Sequence, residues 1–303
     1  MAARAIVVAF QGERGAYGEM AALQYFSSSP PSNKQVTLLP LKSFADVFDA
    51  VEEKKIKKAD FAVIPVENSI EGSVGEVYDL LLNTKLVAVG EVYQRVRHCL
   101  LASRGVRMQD VKTVYSHPQA LGQCRSYLQA KKLDAMPAYD TAGSAKMIKE
   151  QNLRNAAAIA SRRAAELYDM EILEEGIEDR KNNYTRFLVM APAARHFSKN
   201  RKSQQPQQGG REEDGRGYKT SIIFSVKHVP GALFGILGEF ADGGLNLTKI
   251  ESRPTKETPW EYNFYVDFEG SLQDAPVRKA LAAIKGRTSY LKVLGSYRKA
   301  SFS

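Results

Sequence analysis

What most limits the fold of this chain is how its apolar residues are spaced over the first ninety positions. Residues 5–10 (Ala-Ile-Val-Val-Ala-Phe), Leu38 to Leu41 and Phe61 to Val66 are short runs with no polar alternation. Such runs read as strands covered on both faces. Between them, Glu19 to Phe26 reads as a helix, and Ser43 caps a second through about Lys54, with Phe44, Val47, Phe48 and Val51 on one face. Val74, Val77, Tyr78 and Leu81 mark a third helix. Buried strands alternating with amphipathic helices predict an α/β sheet with helices on both faces.

The same rhythm then repeats. Strands are expected at 86–92, 98–102, 111–115, 135–138, 156–160, 170–177 and 185–191, with helices at 117–130, from Thr141, and at 162–168. This predicts two lobes, one of about 1–88 and 175–194 and the other of about 89–174, with a cleft between them of the kind favoured by small molecules. Residues 195–217, which include Gln204-Gln-Pro-Gln-Gln-Gly-Gly210, read as a linker. Residues 218–303 then run strand, helix, strand, strand, helix, strand, the ferredoxin-like βαββαβ order, whose sheet edge would readily pair with a second copy.

The formal charge of +9 raises the question of nucleic acid. Residues 195–219 hold 7 basic against 3 acidic residues, so much of the excess lies in the linker. A nucleic-acid surface spreads its basic residues along a folded face, so this class is excluded. No run approaches the ~18 apolar residues of a membrane span, and the N-terminus passes into a strand without a secretory pattern. The expectation is a cytoplasmic protein. Cys99 and Cys124, each in an apolar segment, fit reduced, buried thiols. With four histidines, no metal-ligand cluster and no Ser-His-Asp set emerges, and no cofactor is expected.

Polar residues gather where strands end, which is where ligands sit in open α/β sheets. Gln11 to Gly18 fits neither common phosphate-loop pattern, but its helix start at Ala16 and Tyr17 offers N–H groups to a carboxylate. Glu67-Asn68-Ser69 with Ser73 puts a carboxylate, an amide and hydroxyls at another helix start, where they serve as caps or as ligands. Ser116 precedes a helix on which Gln119 and Gln123 share a face. Asp140-Thr141-Ala142 opens one more helix, either capping it or binding an anion. Thr185 and Arg186 stand at the lip of the strand Phe187 to Met190, a rigid place for a hydroxyl and a guanidinium.

Taken together and in order, Glu67-Asn-Ser-Ile-Glu-Gly-Ser73, Tyr115-Ser-His-Pro-Gln119 with Gln123-Cys124, Asp140-Thr-Ala142 and Asn183-Tyr-Thr-Arg-Phe187 resemble the signatures of the prephenate dehydratase family. Gly231-Ala-Leu-Phe234 and Glu251-Ser-Arg-Pro254 resemble the phenylalanine-binding motifs of its ACT regulatory domain. No chorismate-mutase-like helical region precedes residue 5, so a monofunctional chain is expected. The resemblance implies a catalytic region with lobes like those of type II periplasmic binding proteins. It also implies conversion of prephenate to phenylpyruvate, CO2 and water. On this analogy Thr185 donates a hydrogen bond to the leaving hydroxyl and Glu67, raised in pKa by burial, supplies the proton. Asn68, Ser116 and Gln123 orient the substrate; Arg186 and the helix starts at Ala16–Tyr17, Ser69–Ser73 and Thr141–Ala142 receive carboxylates. Gly231, Ala232, Leu233, Phe234, Asn246, Leu247, Glu251, Ser252, Arg253 and Pro254 would hold L-phenylalanine at a subunit interface of a homodimer or homotetramer. The rival readings are arogenate dehydratase, the same chemistry on the amino analogue, and a two-lobed amino-acid sensor without catalysis.

Overall fold

The computed structural model describes residues 5–28, 35–52, 59–193, 217–256, 258 and 260–302. The expected linker therefore lies outside the described residues except for Gly217.

The first lobe is a mixed sheet. Its strands are β1 (Ile6–Gln11), β2 (Val36–Leu41), β3 (Phe61–Asn68), the short β4 (Gly72–Ser73), β5 (Leu86–Arg95) and β11 (Tyr184–Pro192). They lie in the order β2-β1-β3-β11-β5, with β4 pairing β3. β1 is parallel to both its neighbours, and the returning β11 is antiparallel to β3 and β5. Helices α1 (Tyr17–Ser28), α2 (Phe44–Glu52) and α3 (Gly75–Asn83) cover this sheet. The apolar face expected for α2 is inside, with Val47, Phe48, Ala50 and Val51 buried.

The second lobe orders its strands β10-β6-β9-β7-β8: β6 (Cys99–Ser103), β7 (Thr113–Ser116), β8 (Asp134–Pro137), β9 (Ala156–Ala160) and β10 (Met170–Glu175). The chain crosses between lobes after Arg95 rather than near residue 88. The whole of β5 pairs with β11, from Leu86 opposite Pro192 to Arg95 opposite Tyr184. One helix was expected over 117–130, but two short ones form, α4 (Pro118–Gln123) and α5 (Arg125–Lys131). The break has a tertiary cause. The Gln123 carbonyl accepts the Asp179 N–H at 2.7 Å, and the Asp179 carboxylate accepts the Ser126 N–H at 3.2 Å. Two further helices, α6 (Thr141–Glu150) and α7 (Arg162–Tyr168), complete the lobe. No described helix is long and apolar enough to cross a membrane.

The C-terminal unit has the expected βαββαβ order: β12 (Tyr218–Ser225), α8 (Ala232–Asp242), β13 (Leu247–Pro254), β14 (Tyr262–Glu269), α9 (Ala275–Arg287) and β15 (Tyr290–Arg298). Its antiparallel sheet runs β13-β14-β12-β15. One face packs on α8 and α9 through Ile222, Phe224, Ile236, Phe240 and Val277. The other face joins the core of the first lobe, where Ile223, Tyr265, Leu294 and Tyr297 meet Val66, Tyr78, Leu81 and Ala88. The approach is close enough to require Gly295, since a Cβ there would lie 2.1 Å from the Ala88 carbonyl oxygen.

Candidate active site

Side chains alternate between the faces of a strand, and in β3 and β11 this sorts the expected site residues into two rows. Thr185 lies opposite Asn68 on one side and Gln94 on the other, so these three share a face. Arg186 lies opposite Glu67 and Tyr93, which share the other face.

The first row looks into the junction of the lobes. Asn68 Oδ1 accepts the N–H groups of Ile70 and Glu71 at 2.9 and 3.0 Å. Its Nδ2 must then point the other way, and it donates to Asn183 Oδ1 at 2.7 Å and to Thr185 Oγ1 at 3.0 Å. Asn183, fully buried, donates through Nδ2 to Gln123 Oε1 at 2.9 Å. Gln123 belongs to the second lobe, and its own Nε2 reaches Glu71 Oε1 at 3.4 Å. A run of neutral amides thus crosses from one lobe to the other and ends on the Thr185 hydroxyl. Ser69 steadies it, donating to the Asn182 carbonyl at 3.1 Å and accepting the Tyr184 N–H at 3.0 Å.

The second row faces the C-terminal unit. Arg186 is 5% exposed and hydrogen-bonds Glu91 at 2.7 Å, Tyr297 at 2.9 Å and Asp267. Lys219 completes the cluster with two 3.0 Å bonds to Glu91. Burial pushes the Asp267 carboxyl up, but the Arg186 guanidinium and the Ser221 hydroxyl outweigh it and hold it below the usual carboxylate range. Glu67 pairs with Lys249 at 3.0 Å, and Ser73 donates to Glu251 at 2.7 Å and accepts from Lys249 at 3.0 Å.

These positions correct several expectations. Arg186 is engaged by Glu91, Asp267 and the Tyr297 hydroxyl and faces the C-terminal unit rather than the cleft, which argues against its receiving substrate carboxylates. Glu67 and Ser73 face β13 rather than Thr185, which removes the ground for a proton source at Glu67 and an anion site at Ser73. Ser116 is fully buried and donates to the Ile159 carbonyl at 2.6 Å, tying β7 to β9. Tyr17 donates to the Arg97 carbonyl at 2.8 Å, and burial pushes its phenol well above its usual range. The helix starts at Ala16 and Asp140 already hold carboxylates of the protein. Glu19 takes the Gly15 N–H at 2.8 Å, and Asp140 takes the Gly143 N–H at 2.7 Å. Three residues in or against this network carry no sign of it in the sequence: Asn183 and Glu71, each inside a motif, and His98, which follows Arg97 and whose Nε2 lies 3.0 Å from Gln123 Oε1.

Comparisons with known proteins identify the family. Residues 8–195 match the model of the family described as "Prephenate dehydratase", and residues 220–286 match that of the ACT domain. The chain belongs to the prephenate dehydratase family. It is 43% identical over 299 residues to the arogenate dehydratase/prephenate dehydratase 2 of Arabidopsis thaliana, an alignment covering 96% of this chain and 72% of that protein. It is 39% identical to the bifunctional chorismate mutase/prephenate dehydratase of Aquifex aeolicus, covering 97% of this chain and 74% of the relative. Among solved structures, a prephenate dehydratase from Arthrobacter aurescens in complex with L-Phe superposes with a TM-score of 0.80 at 28% identity, over 97% of this chain and 90% of that one. A protein described as a quorum-quenching acylase, GqqA, also gives 0.80, at 33% identity over 97% and 98% of the two chains. Like its relatives in this family, the chain is a dehydratase, a lyase.

The residues expected to bind an effector divide in the ACT domain. Along β13, Glu251 and Arg253 face the catalytic region, the latter paired with Asp79 at 3.1 Å, while Ser252 and Pro254 are exposed on the other face. Gly231, in the left-handed region at φ 78°, leads Ala232, Leu233 and Phe234 into α8. Beside them Val226, Trp260, Tyr262 and Phe264 help line a cavity of about 380 Å³. Asn246 and Leu247 sit beyond the opposite end of α8, whose eleven residues span roughly 16 Å.

Proposed function

We propose that the groove where the lobes meet binds prephenate or its amino analogue arogenate and expels CO2 and the ring hydroxyl together, leaving an aromatic product. The observation behind this is the direction of the hydrogen bond at Thr185. Because Asn68 Nδ2 donates to Thr185 Oγ1, the threonine keeps its own hydrogen to donate to a departing hydroxyl. Gln123 and Asn68 orient the ring through neutral amides. An amide-hydrolysing reading after the acylase relative is not supported, because the Ser116 hydroxyl is bonded to a backbone carbonyl rather than to a base.

Purified protein is expected to release phenylpyruvate from prephenate or phenylalanine from arogenate, and side-by-side rates decide which substrate it prefers. Thr185→Val should lower kcat by roughly 10²-fold, the low end for a lost proton-handling group, with KM little changed. Full activity in Thr185→Val would end this assignment.

The effector we propose is L-phenylalanine. It would lie against Ala232 and Leu233, with Asn246 of a second copy closing the pocket, which makes the working protein at least a homodimer. Trp260 is the only tryptophan and is 76% exposed at the cavity. Its emission is therefore expected to shift on titration with L-phenylalanine, and an unmoved spectrum would contradict the site. A cytoplasmic setting is proposed for this chain on its two free, buried thiols.

A further inference from the structure

The geometry points to His98 as the residue that fixes the polarity of the amide chain ending on Thr185, a positioning role outside the groove. This inference rests on the dehydratase reading of the groove. His98 stands where the chain enters the second lobe, is 2% exposed, and presents Nε2 to Gln123 Oε1 at 3.0 Å.

Both ends of the chain have settled orientations. At one end, two backbone N–H groups bind Asn68 Oδ1, which turns Asn68 Nδ2 toward Asn183 and Thr185. At the other, the acceptor-only carboxylate of Glu71 requires Gln123 Nε2 on its side, leaving Gln123 Oε1 toward Asn183 and His98. An oxygen with a ring nitrogen at 3.0 Å demands a hydrogen on that nitrogen. His98 therefore carries its proton on Nε2. The other ring nitrogen, Nδ1, lies 3.2 Å from the Tyr17 hydroxyl oxygen, whose one hydrogen goes to the Arg97 carbonyl at 2.8 Å, so the Gln123 contact alone sets where His98 must carry a proton. The backbone is fixed too, since His98 N–H donates to Glu178 at 2.9 Å.

The consequence reaches Thr185 in four steps. A histidine protonated only on Nδ1 would turn Gln123 so that its Nε2 faced Asn183 and its Oε1 faced Glu71. Asn183 would then have to turn, presenting Nδ2 to Asn68 Nδ2. Asn68 could no longer donate to both Asn183 and Thr185 without losing its hold on the Ile70 and Glu71 amides. The threonine hydroxyl would then spend its hydrogen inside the protein rather than on the substrate.

The test compares a donor with no donor at one place. Glutamine offers an N–H where His98 Nε2 stands, and leucine fills the space without one. His98→Leu should lower kcat about ten-fold, the rate equivalent of one neutral hydrogen bond, with KM within about two-fold. His98→Gln should stay within about two-fold of the parent. Equal losses in both variants at unchanged melting temperature, or no loss in His98→Leu, would overturn the assignment. A second measurement does not depend on turnover or on either variant being active. Side-chain ¹⁵N shifts of ¹⁵N-histidine-labelled protein report the tautomer, with the His98 signals identified by their absence in His98→Gln. The Nε2–H form is expected; the Nδ1–H form overturns the proposal. If the protein turns over neither prephenate nor arogenate, the dehydratase reading fails, while the tautomer still reports on the polarity of the chain.

Discussion

Asn68, Thr185 and Gln94 form one row across β3, β11 and β5; Glu67, Arg186 and Tyr93 form the next, one residue away on the opposite face. The first row is neutral and joins two lobes through amides, whereas the second contains charges and docks the ACT domain. Neutral groups suit the floor of the proposed groove, which must shape a substrate bearing two carboxylates without trapping it or its product. Charges suit the back because Arg186 and Lys219 meet Glu91 and Asp267 in a buried, balanced set. A buried charge is costly alone and tolerable when paired and hydrogen-bonded. Adjacent residues on one strand therefore do unlike work, and substitutions should separate catalysis from domain docking.

The largest effect is expected from removing the hub of the back row. Arg186→Met leaves Asp267 and Glu91 short of a cation, and breaking such a buried pair costs roughly 3–5 kcal/mol. Thr185→Val should cost only about 1 kcal/mol of stability, the scale of one hydrogen bond. Urea unfolding of the two variants measures the contrast directly. Adding Asp267→Leu to Arg186→Met should restore much of the loss, because an apolar pair needs no counter-ion. Equal destabilisation by Thr185→Val and Arg186→Met would erase the distinction between the rows.

Acid should attack the back row too. The folded-state pKa of Asp267 is depressed, so its ionised form contributes stability that is fully present above the unfolded value of about 3.9. That contribution is lost as pH falls through the lower folded value. Melting temperature followed from pH 6 down to pH 3 should therefore fall more steeply in the parent than in Asp267→Asn. Matching slopes would mean that the acid loss arises elsewhere.

The strand runs and helix faces were legible because burial imposes a period on the apolar residues. That is how β1, α2 and the βαββαβ order followed from spacing alone. Asn68, Gln123 and Thr185 were legible as motif positions, and the structure does bring them together. The side each polar neighbour faces was not. Alternation identifies the inward row when one row is apolar and the other polar, but Glu67-Asn68 and Thr185-Arg186 are polar in both rows. What separates them is a contact with residues 219 to 297, far away in sequence. His98 was hidden for another reason, because an isolated histidine between Arg97 and the apolar run Cys99 to Ala102 gives no sign of the amides it meets. The break between α4 and α5 depends on Asp179, more than fifty residues further on, and no local pattern announces it.

The smallest effect should come from Glu67, and it tests the comparison most sharply because a carboxylate beside Asn68 is an obvious acid. Its carboxylate is bonded to Lys249, itself within 3.0 Å of Ser73 Oγ. Glu67→Gln keeps an oxygen for Lys249 and loses only the charge, a change worth well under 1 kcal/mol for a partly exposed pair. Stability should hardly move, and kcat should stay within about two-fold of the parent across pH 6 to 8. Any change should fall instead on how strongly L-phenylalanine inhibits, since the Lys249 pair joins β13 of the ACT domain to the strand bearing Asn68. A fall in kcat as deep as that of Thr185→Val would place Glu67 in the chemistry. The two faces of β3 would then have to exchange roles when substrate binds.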